Sequence, residues 1–150
     1  MRRDTVGRPM EILLVEDNME DAGVTIRALK QGDFQCRVSL VKDGEEAMSF
    51  LSRLGIFAKA PRPDLILLDI QLPKKDGRQV LTEIRADEKL QSIPVVVLTA
   101  SGVHKAILEG EKLRVDGFMT KPISFDQFIG VVKSLRRSWL EEIILPPMDC

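Results

Sequence analysis

Residues 65–77 read LILLDIQLPKKDG, and the fold turns on how this stretch is understood. The aliphatic run Leu65–Leu68 has none of the alternation of a strand with one wet face. It is the pattern of a strand covered on both sides, as in a parallel sheet. Asp69 follows at once. A carboxylate in an apolar interior either carries a large desolvation cost or gives up its charge. Asp69 is therefore expected at the lip of a buried strand, or beside a partner that holds its charge.

Similar runs lie on either side: ILLV at 12–15, CRVSLV at 36–41, IPVVVLTA at 93–100 and VDGFMT at 115–120. Helical spacing fills the intervals. Met19, Ala22, Ile26 and Leu29 repeat at three and four, with Asn18 as N-cap and Glu20 and Asp21 near the positive end of the helix dipole. Ala47, Leu51 and Leu54 form a second stripe, and Val80, Leu81 and Ile84 a third. Phe125, Phe128, Ile129, Val132, Leu135 and Trp139 give the clearest one, capped by Ser124. Residues 103–113 give the weakest helix, interrupted by Gly110, and GIFAKAPRPD at 55–64 reads as a long loop. Strands alternating with helices predict an α/β fold, a doubly wound five-stranded parallel sheet of flavodoxin-like order 2-1-3-4-5.

The 150 residues suit one domain, and 44% apolar with 30% charged residues is ordinary for a chain that buries a full core. Lys and Arg number 22 against 23 Asp and Glu, so the balance offers no footprint for nucleic acid. Cys36 and Cys150 stand far apart with no C-x-x-C, against a disulfide framework or a zinc site. No apolar run approaches the ~18 residues of a membrane span, and no apolar segment follows the N-terminal arginines. A cytoplasmic protein that engages neither membrane nor nucleic acid is the expectation.

Ligands of open α/β sheets bind beyond the carboxyl ends of the strands. Those ends carry Glu16 and Asp17, Asp69, Thr99 and Lys121. In the order 2-1-3-4-5 the first and third strands are neighbours, so the three carboxylates should converge, with Thr99 and Lys121 beside them. Two like charges about 4 Å apart repel by roughly 4 kcal/mol at an effective dielectric of ~20. Something positive must balance them. Lys121 supplies one charge, and an oxygen-only cluster with room for waters is what octahedral Mg²⁺ prefers, with Mn²⁺ or Ca²⁺ as substitutes. An ionised Asp69 facing a metal-held phosphoryl group is a competent nucleophile. Each residue alone is unremarkable: strand-end acids are commonly turn or cap residues, and surface lysines are commonly solvated. The conjunction in chain order carries the weight.

The segments ILLVEDN, LILLDIQLPKKDG with its Pro73, Asp76 and Gly77, VVVLTAS and DGFMTKP together resemble the receiver domain of bacterial two-component response regulators, over about residues 11–138. The resemblance implies a receiver domain at 11–138, a flexible segment at 1–10 and an apolar extension at 139–150. It makes Asp69 the phosphoacceptor, Asp17 a direct Mg²⁺ ligand, Glu16 an outer-sphere one, and the Gln71 backbone carbonyl a further ligand. Thr99 and Lys121 then contact the phosphoryl oxygens, and Lys121–Pro122 is a cis peptide. Phe118 takes the switch-aromatic position, frequently Tyr, and lacks the hydroxyl that would hydrogen-bond in an outward rotamer; plain core packing is the competing reading. Glu16 stands where the family often has Asp.

His104 is the only histidine and no ATP-binding motif accompanies it, so the phosphodonor is expected to be a sensor histidine kinase, with His104 a surface residue. The tail WLEEIILPPMDC is too short for an effector and apolar for its length, which suggests a stand-alone receiver whose tail builds an interface. The long loop before Asp64 and this tail resemble the small response regulators that partner bacterial phytochrome kinases. That resemblance implies a homodimer through the fourth helix, fifth strand and fifth helix, with the tail contributing. The alternatives are an unphosphorylated scaffold or docking module, a flavin binder and an aspartate phosphatase. The acidic loop after the first strand argues against flavin phosphate, and Gln71 stands where the phosphatase needs a second Asp.

Overall fold

The computed structural model describes residues 9–31, 35–72, 76–100 and 114–135. Strands β1 (Met10–Val15), β2 (Cys36–Val41), β3 (Leu65–Asp69), β4 (Val95–Thr99) and β5 (Gly117–Thr120) alternate with helices. These are α1 (Met19–Leu29), α2 (Gly44–Leu51), α3 (Gly77–Ala86) and α4 (Phe125–Leu135). The strands form one sheet in the order β2-β1-β3-β4-β5, and every pairing is parallel. The expected doubly wound fold is present.

Because side chains alternate across a strand, each buried strand feeds two cores. Ile12, Leu14, Leu65, Leu67, Val96 and Leu98 pack with Leu29 of α1 and with Phe128 and Val132 of α4. Leu13, Val15, Ile66, Leu68, Val95 and Val97 face the other way, against Ala47 and Phe50 of α2 and Val80, Leu81 and Ile84 of α3. Each fully buried aliphatic contributes roughly 1.5–3 kcal/mol, which is why the runs are unbroken. The first core begins with Met10, fully buried and paired with Cys36. The strand thus starts inside the segment read as flexible at 1–10, one residue before the boundary set at residue 11. The reason is backbone pairing: Glu11 interrupts the apolar run, but its N–H donates to Asp64 Oδ2 (2.8 Å) and its carbonyl accepts from the Asp64 N–H (2.8 Å).

The caps hold where they were expected. Asn18 accepts from the Asp21 N–H at 3.0 Å, and the Ser124 hydroxyl from the Gln127 N–H at 3.2 Å. Two members of the apolar stripes do not. Met19, the first residue of α1, is 56% exposed. Leu54 lies outside α2, which stops at Leu51 and turns sharply through Arg53, a residue with φ of 56°. The loop at 55–64 carries a short 3₁₀ turn, Gly55–Phe57.

At the end of the sheet where the strands begin, one guanidinium clamps two connections. Arg85 of α3 donates from Nη1 to the carbonyls of Gln91 (3.1 Å) and Ile93 (3.0 Å). Its Nε reaches the carbonyl of Arg114 (3.0 Å), and its Nη2 pairs with Asp116 Oδ2 at 2.8 Å. That same Asp116 oxygen accepts from the Val95 N–H at 2.8 Å. The segment 103–113, Trp139 and the rest of the tail lie outside the described residues.

Candidate functional site

A parallel sheet delivers all its carboxyl ends to one rim, and here that rim gathers the residues expected of it. Glu16 continues β1, with its N–H bonded to the Val41 carbonyl at 3.0 Å and its side chain fully buried. Asp17 follows it, exposed. Asp69 ends β3, 6% exposed, and Thr99 ends β4, 4% exposed. Lys121 follows β5, its N–H held by the Thr99 carbonyl at 2.9 Å, and Lys121–Pro122 is cis. Carboxylate oxygens of Glu16, Asp17 and Asp69 lie within 4.8 Å of one another. They line a cleft of about 320 Å³ together with Gln71, Thr99 and Lys121.

Lys121 occupies the middle of this charge cluster. Its Nζ lies 2.9 Å from Asp69 Oδ2, 2.7 Å from Glu16 Oε1 and 3.0 Å from Asp21 Oδ2. Burial alone would lower the ammonium's pKa, but the close approach of these carboxylates outweighs it and raises it above the ordinary lysine value. Glu16 is pushed the other way for an acid. Burial first, then the neighbouring Asp69, raise its pKa to about 7, against the pull of Lys121 and of the Asn18 N–H on its Oε2. Glu16 Oε1 is buried and makes no hydrogen bond; the 2.7 Å approach of Lys121 is a charge contact without hydrogen-bond alignment.

Three carboxylates, those of Glu16, Asp21 and Asp69, meet the Lys121 ammonium, and Asp17 adds a fourth beside them; among the described residues Lys121 is the cation lining this cleft. An orphaned buried carboxylate oxygen, an all-oxygen donor set and an open cleft fit a hard divalent cation, which would neutralise the surplus. The geometry also leaves Asp69 presentable. Its Oδ1 accepts from the Gln71 N–H at 2.9 Å, which fixes the carboxylate plane.

The wall behind Asp69 is helix α3. Asp76 caps it, accepting from the N–H groups of Arg78 (2.9 Å) and Gln79 (3.1 Å), while Gln79 Oε1 accepts from the Asp76 N–H (3.1 Å). This is a capping box. Gly77 then donates to the Ile70 carbonyl at 3.2 Å. A Cβ at Gly77 would sit 2.7 Å from both the Asp69 carbonyl oxygen and the Ile70 Cα, so only glycine lets the helix start so close to β3.

Phe118 lies on β5 opposite Val97, half-buried against the core shared with α2 and α3. It packs against that core without being fully enclosed by it. One participant was not foreseen. Asp21, which its sequence position ties only to the helix dipole, joins the Lys121 cluster from the first turn of α1. The available signal was its spacing, one helical turn after Asp17. Pro73 and His104 lie outside the described residues.

The family model described as the response regulator receiver domain matches residues 12–133. The chain belongs to that family. This receiver is 39% identical over 143 residues to Response regulator Rcp1 of Synechocystis, covering 95% of this chain and 97% of that protein. The solved Mn²⁺-bound form of Rcp1 matches the receiver with a TM-score of 0.71 and 40% identity, over 93% of this chain and 100% of that one. The bacteriophytochrome response regulator RtBRR gives a TM-score of 0.81 at 34% identity, over 95% and 84%. The phosphorylated cyanobacterial phytochrome response regulator RcpA gives 0.73 at 43% identity, over 93% and 100%. The receiver is thus a signalling protein of two-component type, similar to regulators associated with phytochromes. Among its described residues no helix is long and apolar enough to cross a membrane.

Proposed function

We propose that Asp69 accepts a phosphoryl group from the phosphohistidine of a sensor histidine kinase, in a reaction that needs Mg²⁺. The observation that carries this reading is the convergence of Glu16, Asp17 and Asp69 within 4.8 Å around the ammonium of Lys121. An oxygen of Asp69 attacks phosphorus, the bond to the donor imidazole breaks, and an acyl phosphate remains. Water later cleaves it, returning the carboxylate and releasing inorganic phosphate. Asp17 and Asp69 would hold the metal directly, Glu16 would act through a water, and the Gln71 carbonyl would complete the protein's share. When bound, the cation supplies charge neutralisation for the incoming phosphoryl oxygens. Lys121 and the Thr99 hydroxyl hold those oxygens, and Phe118, half-buried on β5 beside β4, follows the movement of Thr99 toward them.

The similarity to phytochrome-associated regulators supports a phytochrome histidine kinase as the donor. The reading further includes a cytoplasmic homodimer through the segment 103–113, β5 and the last helix, with residues 139–150 contributing, as the apolar character of that tail suggests. Light scattering should then report a dimer that dissociates when 139–150 are deleted. For the site itself, beryllofluoride with Mg²⁺ should shift amide NMR signals of the residues lining the cleft, and acetyl phosphate should add one phosphoryl mass. Both responses should vanish in Asp69→Asn. A wild-type chain that responds to neither would turn the reading to an unphosphorylated docking module.

A further inference from the structure

Away from the cleft, two large apolar side chains stand in solvent two residues apart: Leu54, 59% exposed, and Ile56, 91% exposed. They are not on slack chain. Helix α2 ends in a Schellman motif, with the Leu54 N–H on the Ser49 carbonyl (2.9 Å) and the Arg53 N–H on the Phe50 carbonyl (3.2 Å). Such a motif puts one residue in the left-handed region, commonly glycine, and here it is Arg53. Gly55 repeats the conformation at φ 57°. A side-chain-bearing residue persists there only where its surroundings fix it, and such sites cluster at functional surfaces. The surroundings are present. Phe57, Ala58 and Ala60 donate back to the carbonyls of Leu54, Gly55 and Phe57 at 3.0–3.2 Å. The Phe57 ring packs on Phe50 with centroids 5.4 Å apart. The connection is a rigid knuckle that holds Leu54 and Ile56 outward.

Beside the knuckle, a groove of about 570 Å³ runs between α2 and α3. Met48 and Leu54 give it an apolar wall, Glu45, Glu83 and Asp87 line it with carboxylates, and among the described residues no Lys or Arg does. An apolar knob beside an acidic groove complements a partner whose apolar side chains are flanked by cations. An anionic membrane surface or nucleic acid would meet like charge there.

We propose that the α2–α3 face docks a basic amphipathic helix of another protein. Leu54 and Ile56 pack against its apolar stripe, and Glu45, Glu83 and Asp87 face its lysines and arginines. This surface does not rest on phosphoryl uptake at Asp69. The test uses the full chain, ¹⁵N-labelled, and a synthetic peptide of about 18 residues, five helical turns, with leucines on one face and Lys and Arg on the other. A scrambled peptide and one with Glu in place of its cations serve as controls. The expected result is saturable binding with shift changes confined to residues 44–57 and 80–88. Both control peptides, and separately Ile56→Asp and Glu83→Lys, should weaken it about tenfold or more. Leu54→Ser provides a second knuckle variant, and circular dichroism confirms that each variant is folded. Absence of binding, equal binding of the scrambled peptide, shift changes centred elsewhere, or an unaffected Ile56→Asp would overturn the proposal. Self-association in sedimentation that Ile56→Asp abolishes would overturn it too, assigning the face to a second copy of the chain.

Discussion

Glu16 holds its proton in the folded, metal-free protein up to a pH of about 7, against 4.5 for the free side chain, because burial and Asp69 oppose its charge. Between those values the folded chain binds a proton that the unfolded chain has released. Stability from this group is therefore fully present below about pH 4.5 and is lost as pH rises through about 7. Urea unfolding of metal-free protein should show a decline on the order of 3 kcal/mol across that window. Glu16→Gln should flatten the slope, and Mg²⁺ at pH 7.5 should restore the wild-type stability by binding only the folded form. An unchanged slope in Glu16→Gln would assign the pH dependence to other groups. The same residue shows what one dimension can reveal. The acids at the strand ends were legible because their positions follow from where the apolar runs stop. The Asp21–Lys121 contact was not, since it joins residues 100 positions apart through a helix approach that no local pattern encodes.

Helix α3 is fixed at its start by two different means, and they should separate on mutation. Asp76→Ala removes the side-chain acceptor for two N–H groups and should cost about 1 kcal/mol. Gly77→Ala keeps the cap but drives a methyl into the Asp69–Ile70 backbone, and should cost about 1–3 kcal/mol as overpacking does. Only Gly77→Ala should also displace the amide signals of Asp69 to Gln71 and weaken beryllofluoride binding. Equal effects of both variants on those signals would mean that helix stability alone governs the wall behind Asp69. The strands were readable as elements because burial on both faces demands unbroken apolar runs. The end of α2 was not, because Leu54 keeps helical spacing while the chain has already turned at Arg53, a conformation that residue type disfavours and only the surrounding hydrogen bonds explain.

At the scale of the molecule, Arg85 and Asp116 join the end of α3 to the entries of β4 and β5. Their side chains are only 12% and 17% exposed. Asp116→Ala would leave a half-buried guanidinium without its carboxylate and the Val95 N–H without its acceptor. Loss of about 2–4 kcal/mol is expected in urea unfolding. The double variant Arg85→Met with Asp116→Ala should recover part of that loss, and additive costs would mean the two charges are not coupled. The order of the sheet has a separate consequence. Among the described residues its edge strands are β2, whose Arg37 is 69% exposed and paired with Glu11, and β5, four residues long. A short border and a charged one both discourage a foreign strand from annealing to the ladder. Recognition by this molecule is thereby left to helices and loops, and oligomers grown by strand addition, with their route to fibres, are disfavoured by its plan.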